Sequence, residues 1–300
     1  MSVSAVIVTY NRLELLKEAI AALQASLVKV EHIIVVDNNS KADTVDYLTS
    51  LGNQIEYVRL PENIGGAGGF NRGVRYFMEH TNDDYVWLMD DDTLVHPDTL
   101  TGFLEFGAKQ PNFGFLAADV RWIDGHRAKM NDPAPKGTLG KVPEDATEPV
   151  ELMNATFVSL LMPRQIVAQI GLPITDFFIW GDDIEYTERA ARVAPGYFIP
   201  AARVTHKMAT NVGSNIMNDS LDRLPRYFYS YRNKVYYGAK RQLMGHVKSN
   251  VRITLEALRL IGKPGVLQRG ARLKVLYQGV VGGLKFKPTI EFADTKDTLK

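Results

Sequence analysis

Three consecutive carboxylates, Asp90, Asp91 and Asp92, end the apolar run Val86, Trp87, Leu88 and Met89. Neighbouring anions repel one another, and a fold tolerates them mainly where something positive neutralises them. At the carboxyl end of a buried parallel strand they lie where open α/β sheets bind ligands. Their oxygens suit Mg²⁺ or Mn²⁺, ions that also take phosphate oxygens from a substrate. The same triplet also reads as a solvated acidic turn before a helix near Pro97. A second pair, Asp182 and Asp183, follows the aromatics Phe177, Phe178 and Trp180. A carboxylate beside an aromatic platform can take a proton from a hydroxyl lying on that platform, which is general-base chemistry. Aspartate is also a preferred helix N-cap, so this pair has a purely structural reading too. His206, in VTHKMA, is able to complete a metal site begun by Asp92, although a lone histidine is more often structural. The stretch Gly65-Gly66-Ala67-Gly68-Gly69, followed by Arg72, would let backbone approach a phosphorylated ligand near a helix amino end. It has neither the GxGxxG nor the Gly-Lys-Ser/Thr spacing, and it equally describes a flexible turn into a helix.

The elements that must position these residues alternate. SAVIVTY, HIIVVDNNS, IEYVRL and YVWLMD read as strands. Between the first two, Leu13, Leu15, Leu16, Ala19, Ile20 and Leu23 recur at helical spacing. Val45, Leu48 and Leu51 suggest a short helix, and another runs through Phe77. Continuous apolar strands separated by helices predict a mostly parallel, Rossmann-like sheet covered on both faces. Thr9, Asp37, Asn63 and Asp90–Asp92 would then line one crevice at the strand carboxyl ends. Further on, GFLAADVRW and ATFVSLLMP predict strands and RQIVAQI a short helix with a Gly-Leu-Pro stop. Residues 124–149 predict a long surface loop lying over the site. From Leu224 the pattern turns helical, first aromatic, then amphipathic and basic.

Composition narrows the classes. The 300 residues are 45% hydrophobic and 23% charged, as in an ordinary globular protein, and contain no cysteine. Disulfides and thiolate metal sites are thereby excluded, which favours oxygen ligands and fits a reducing cytoplasm. The amino terminus runs almost directly into a strand, so no signal peptide is expected. No apolar run approaches the roughly 20 residues that span a bilayer. The net charge of +1 hides an asymmetry. From Lys240 to Lys287 eleven lysines and arginines face the single acid Glu256, leaving the remainder net acidic. Val251, Leu255, Leu258 and Ile261 fall on one helix face there, a pattern that suits an anionic membrane surface. The alternative is a helix pair packed on the catalytic domain or on a second subunit. No nucleic-acid motif accompanies the basic stretch.

Taken together, VTYNR (8–12), VVDNNS (35–40), NIGGAGGFNRG (63–73), WLMDDD (87–92), FFIWGDDIEY (177–186), TH (205–206) and YSYRN (229–233) resemble the inverting GT-A family 2 glycosyltransferases, in particular their galactofuranosyltransferase and rhamnosyltransferase branch. The resemblance implies a GT-A domain over residues 1–224 and a helical, basic carboxyl-terminal extension over residues 225–300. It implies that Thr9 and Asp37 meet the nucleotide base, while Asn63, Gly66 and Arg72 border the nucleotide-sugar and its diphosphate. Asp90 lies near the ribose or sugar, with Asp91 in the same nucleotide-sugar group, and Asp92 and His206 hold Mn²⁺ or Mg²⁺. Asp183 is the base, Asp182 positions the acceptor hydroxyl, and Trp180 stacks on an acceptor sugar. Tyr229, Arg232 and Asn233 match a recurrent segment for which no role follows. The expected function is transfer of galactofuranose from UDP-galactofuranose to a lipid-linked cell-surface glycan. The enzyme would be cytoplasmic, peripheral on the inner face of the membrane and possible as a homo-oligomer. Alternatives are a dTDP-rhamnose donor, a non-catalytic nucleotide-binding scaffold, or a metal-dependent nucleotide-sugar hydrolase. A glycosidase fits poorly, because carboxylates adjacent in sequence do not readily flank a bond from opposite sides.

Overall fold

Strand β1 (Val3–Thr9) is buried at every position, because its apolar residues face helices on both sides of the sheet. The computed structural model describes residues 1–137 and 140–294. Two residues of the 124–149 loop and the last six of the expected extension therefore lie outside the described residues. After β1 come α1 (Leu13–Gln24), β2 (His32–Asp37), α2 (Ala42–Ser50), β3 (Glu56–Arg59), α3 (Gly65–His80), β4 (Tyr85–Asp90), β5 (Thr93–Val95), α4 (Thr99–Lys109) and β6 (Phe115–Trp122). The chain continues through β7 (Ala134–Pro135), β8 (Val150–Asn154), β9 (Leu160–Pro163), α5 (Arg164–Ile170), α6 (Asp182–Ala191) and β10 (Gly196–His206). It closes with α7 (Leu224–Ala239), α8 (Leu243–Gly262) and α9 (Arg269–Lys285).

These strands form one mixed, mostly parallel sheet in the order β3-β2-β1-β4-β9-β6-β10-β8-β7, with β5 added on β10. Thr9 pairs with Asp37 and Val8 with Asp90, so three strand ends emerge side by side. The period of two along each strand divides the core. Val6, Val8, Ile34 and Val36 face α3 with Phe70, Val74 and Phe77. Ala5, Ile7, Ile33 and Val35 face the other way, with Leu16, Ile20 and Leu23 of α1 and Phe103 of α4.

Two local expectations change. The glycine-rich stretch is not a flexible turn ahead of the helix but the first turns of α3 itself. A Cβ on Gly69 would meet Val8 Cγ1 at 2.4 Å, and one on Gly73 would meet Val6 Cγ1 at 2.3 Å, so these glycines let α3 lie directly on β1. The predicted strand in ATFVSLLMP is shorter: Phe157–Ser159 is a 3₁₀ turn and only Leu160–Pro163 joins the sheet, antiparallel to β4 and β6. The helices after Leu224 pack against one another. Gly279 and Gly283 of α9 come so close to α7 that a Cβ would stand 2.7 Å from the Phe228 carbonyl oxygen and 2.5 Å from Val235 Cβ.

Candidate active site

The strand ends open into a cleft of about 640 Å³. Thr9 and Arg12 follow β1, Asp90–Asp92 follow β4, Gly66 opens α3, Asp182 and Asp183 open α6, and His206 ends β10. Asp90, Asp92 and His206 each offer a ligand atom, all within 4.8 Å of one another. His206 Nδ1 lies 2.9 Å from Asn131 Oδ1, which can accept its N–H, and its Nε2 lies 2.8 Å from Asp92 Oδ1. Two carboxylates and an imidazole oriented through its far nitrogen form a donor set that fits Mn²⁺ or Mg²⁺.

The aspartates are not equivalent. Arg12 Nη1 bridges Asp91 Oδ1 at 2.7 Å and Asp92 Oδ2 at 2.9 Å, and the Thr9 hydroxyl donates to Asp91 Oδ2 at 2.8 Å. Burial works to raise the pKa of Asp92, but hydrogen bonding and charge from His206, with Arg12, outweigh it and hold the group below its ordinary value. Asp91 is raised by burial despite Arg12. At Asp90, burial and the charges of Asp92 and Asp91 outweigh those of His206 and Arg12 and push it up to about 7. A divalent cation would reverse that cost.

Asp182 and Asp183 sit in the first turn of α6, where the helix dipole favours anions. Burial, then Asp183 and Asp90, raise Asp182 well above the usual carboxylate range. Burial also raises Asp183, to about 6, against backbone N–H groups including that of Ile184, which donates to Asp183 Oδ1 at 2.7 Å. The turn before them is strained. Phe178 and Trp180, neither of them glycine, have φ of 62° and 63°, and Gly181 has φ 94°. Such left-handed residues cost of order 1 kcal/mol or more each and persist only where surroundings enforce them. Gly65 helps to do so: a Cβ there would stand 2.1 Å from the Phe178 carbonyl oxygen.

Thr9, Asn63, Gly66, Asp90, Asp91, Asp92, Trp180, Asp182, Asp183 and His206 thus line one cleft. Asp37 and Arg72 are not on its wall. The Asp37 carboxylate is fully buried, accepting from the Ser40 N–H at 2.7 Å and the Tyr57 hydroxyl at 3.0 Å. Arg72 is six residues beyond Gly66, about 9 Å farther along the helix axis, and is exposed. Other residues of the wall carried no assigned role: Arg12, Asn38, Asn131, Arg223 and Arg226. Arg12 closes the VTYNR motif and Asn38 lies within VVDNNS, so both had a positional signal. Asn38 holds the start of α3, donating to the Gly65 carbonyl at 2.8 Å and accepting from the Ile64 N–H at 2.9 Å. Asn131 had no signal, since it comes from the long loop that does reach the site. Arg223 and Arg226 border the start of α7, and Arg223 lies 5.8 Å from the Trp180 ring centre.

Residues 4–170 match the family described as Glycosyl transferase family 2. Galactofuranosyltransferase GlfT1 of Mycolicibacterium smegmatis is 25% identical over 251 residues, covering 78% of this chain and 82% of the relative. GlfT1 of Mycobacterium tuberculosis H37Rv is 28% identical over 250 residues, covering 78% and 81%. Among solved structures, GalNAc-T7 with UDP, GalNAc and Mn²⁺ superposes with a TM-score of 0.62 at 13% identity, covering 93% of this chain and 55% of that one. The fold is GT-A. The chain belongs to glycosyl transferase family 2 and is a glycosyltransferase.

Proposed function

We propose that this family 2 glycosyltransferase moves galactofuranose from UDP-galactofuranose to a hydroxyl of a lipid-linked cell-surface glycan, with inversion at the anomeric carbon. The observation that carries the mechanism is Asp183, a carboxylate raised to about 6, in the same cleft as the Asp90, Asp92 and His206 cluster. The choice of sugar is supported by the galactofuranosyltransferases that the chain resembles.

In this reading Thr9, Asn38 and Asn63 border the nucleotide, and Asp90 and Asp91 the ribose and sugar. Asp37, satisfied by Ser40 and Tyr57, shapes the turn that presents Asn38 rather than touching ligand directly. Asp90, Asp92 and His206 hold Mn²⁺ or Mg²⁺, which when bound neutralises charge developing on the departing diphosphate. Trp180 carries the acceptor sugar and Asp182 orients its hydroxyl. As the acceptor oxygen bonds to the anomeric carbon, the bond from that carbon to the diphosphate oxygen breaks. The hydroxyl proton passes to Asp183. The catalytic unit spans residues 1–224, and the extension from 225 provides a peripheral contact with an anionic membrane. No helix among the described residues is long and apolar enough to cross a bilayer. However, α8 leaves Leu243, Val247, Val251, Leu255, Leu258 and Ile261 exposed in one row.

The test is nucleotide release by purified protein with Mn²⁺, given UDP-galactofuranose, UDP-galactopyranose, UDP-glucose or dTDP-rhamnose, each with and without a glycan acceptor. Acceptor-dependent release from the furanose donor alone is expected. Release from dTDP-rhamnose alone would move the sugar and keep the mechanism. Release that ignores the acceptor would make the protein a hydrolase. Nucleotide binding with no turnover of any donor would favour a scaffold.

A further inference from the structure

The turn that carries Trp180 and leads into Asp182 and Asp183 belongs to the catalytic unit, yet its backbone is gripped from the carboxyl-terminal helices. Asn233 of α7 is completely buried. Its Nδ2 donates to the Phe177 carbonyl at 3.0 Å, the Ile179 carbonyl at 3.2 Å and the Trp180 carbonyl at 2.8 Å. The remaining carbonyl of this stretch, that of Phe178, accepts from the Ala67 N–H of α3 at 3.2 Å. Every carbonyl from Phe177 to Trp180 is therefore held, three of them by one side chain. Arg232 completes the grip. It donates to the Asp176 carbonyl, to the Phe177 carbonyl at 3.2 Å, and through Nε to Asn233 Oδ1 at 3.1 Å, which fixes the orientation of the amide. Arg232 is itself stacked 4.0 Å from the Phe286 ring centre, just past α9.

We propose that Asn233, with Arg232 behind it, is a positioning residue for sugar transfer: it locks the left-handed turn so that Trp180 and Asp183 face the cleft. The proposal rests on the transferase reading above and gives the carboxyl-terminal helices a part in the chemistry itself. Phe178 and Trp180 adopt φ values that a free chain leaves, and amide donors aimed at their flanking carbonyls are what keeps them there. A carboxylate base displaced by about 1 Å loses on the order of a hundredfold in rate while distant binding contacts survive. Asn233 touches none of the groups assigned to the nucleotide, so its loss separates kcat from donor affinity.

The experiment compares the wild type with Asn233→Ala, Asn233→Asp and Arg232→Gln. It measures kcat, donor KM, UDP affinity by calorimetry, and hydrogen exchange of the 176–183 backbone. Asn233→Ala is expected to lower kcat about 100-fold, with donor KM and UDP affinity within about twofold of wild type and faster exchange in 176–183. Asn233→Asp falls at least as far, because an acceptor-only carboxylate then faces three carbonyls. An unchanged kcat overturns the proposal, and so does a loss of kcat matched by loss of UDP affinity. If the Asn233 variants do not fold, Arg232→Gln decides: lower kcat at constant UDP affinity supports the proposal, and unchanged kcat overturns it. A wild type that transfers no sugar fails the transferase reading instead. Exchange in 176–183 then decides alone, and an unaltered rate in the variants overturns the clamp.

Discussion

At the scale of single residues, the cleft separates one reactive carboxylate from several that are engaged. Asp183 must be ionised to accept a proton, and burial has raised it to about 6. Turnover under saturating substrate is therefore expected to fall as pH drops through about 6, and a profile flat from about pH 5 to 7 would refute its role. Asp182 faces it and Asp90 lies beyond, both acids with raised pKa, while the neighbouring Tyr237 is raised by burial and stays neutral. The sign for stability is opposite. The folded chain holds the Asp183 proton more tightly than the unfolded chain, whose carboxyl titrates near about 4. This contribution thus favours folding at low pH and is lost as pH rises from about 4 through 6. Asp183→Asn should consequently lower kcat by about 100-fold or more while raising Tm at neutral pH, read by kinetics and calorimetry. His206 carries a separate prediction. His206→Ala and Asp92→Ala should abolish Mn²⁺-dependent turnover with far-UV circular dichroism unchanged. A His206→Ala enzyme with full, metal-dependent activity would remove that residue from the metal site. The aspartates, Trp180 and His206 were legible as types and spacings, but Arg12 as counterion to two of them was not. Pairing between residues 79 positions apart leaves no local pattern.

Among the elements, α3 explains most about how donor and acceptor sides are joined. Its glycines were open to reading either as backbone that approaches a phosphorylated ligand or as a flexible turn, because a run of glycines signals backbone freedom and close approach alike. Packing separates the two. Gly69 and Gly73 admit β1, Gly66 has open space around its Cβ position, and Gly65 combines φ of 77° with the contact to Phe178. Gly65→Ala is expected to destabilise the fold by about 2 kcal/mol or more, through left-handed strain and overlap with a backbone carbonyl. It should also lower kcat, because the carbonyl that must move lies in the catalytic turn. Gly66→Ala meets nothing within 4 Å, so thermal unfolding should change little. Equal Tm values for the two variants would show that the contact with Phe178 is not a tight one.

Across the whole molecule, the charge asymmetry acquires a geometry. Helix α8 buries Ile253 and Leu260 against its neighbours, while Leu258 and Ile261 on its other side are 57% and 54% exposed. The face that was open to packing on the catalytic unit is thus turned outward, beside Lys248, Arg252 and Arg259. Cations near an anionic bilayer contribute about 1 kcal/mol each, and buried apolar side chains add to that. The protein should therefore bind vesicles containing phosphatidylglycerol in preference to pure phosphatidylcholine, less so at high salt. Leu255→Glu with Leu258→Glu should weaken that binding at least about tenfold and leave turnover on a soluble acceptor intact. Salt-independent association of the protein with itself, abolished by the same pair, would assign this face to a second copy instead.

The sequence by itself determined the sheet-and-helix alternation, the strand ends that carry Thr9 and Asp90, and the change to helix near Leu224. Each is written in local periodicity and in short motifs, which need only neighbouring residues to be expressed. It also determined the family, because the ordered series of motifs is far more specific than any one member. Tertiary structure alone decided that Asn131 orients His206, that Arg12 neutralises two aspartates, and that Asp37 and Arg72 stand off the cleft wall. It alone decided that Asn233 grips a turn more than fifty residues before it. These are contacts across long loops, set by how helices and strands pack in three dimensions, and the chain encodes them only through the whole fold.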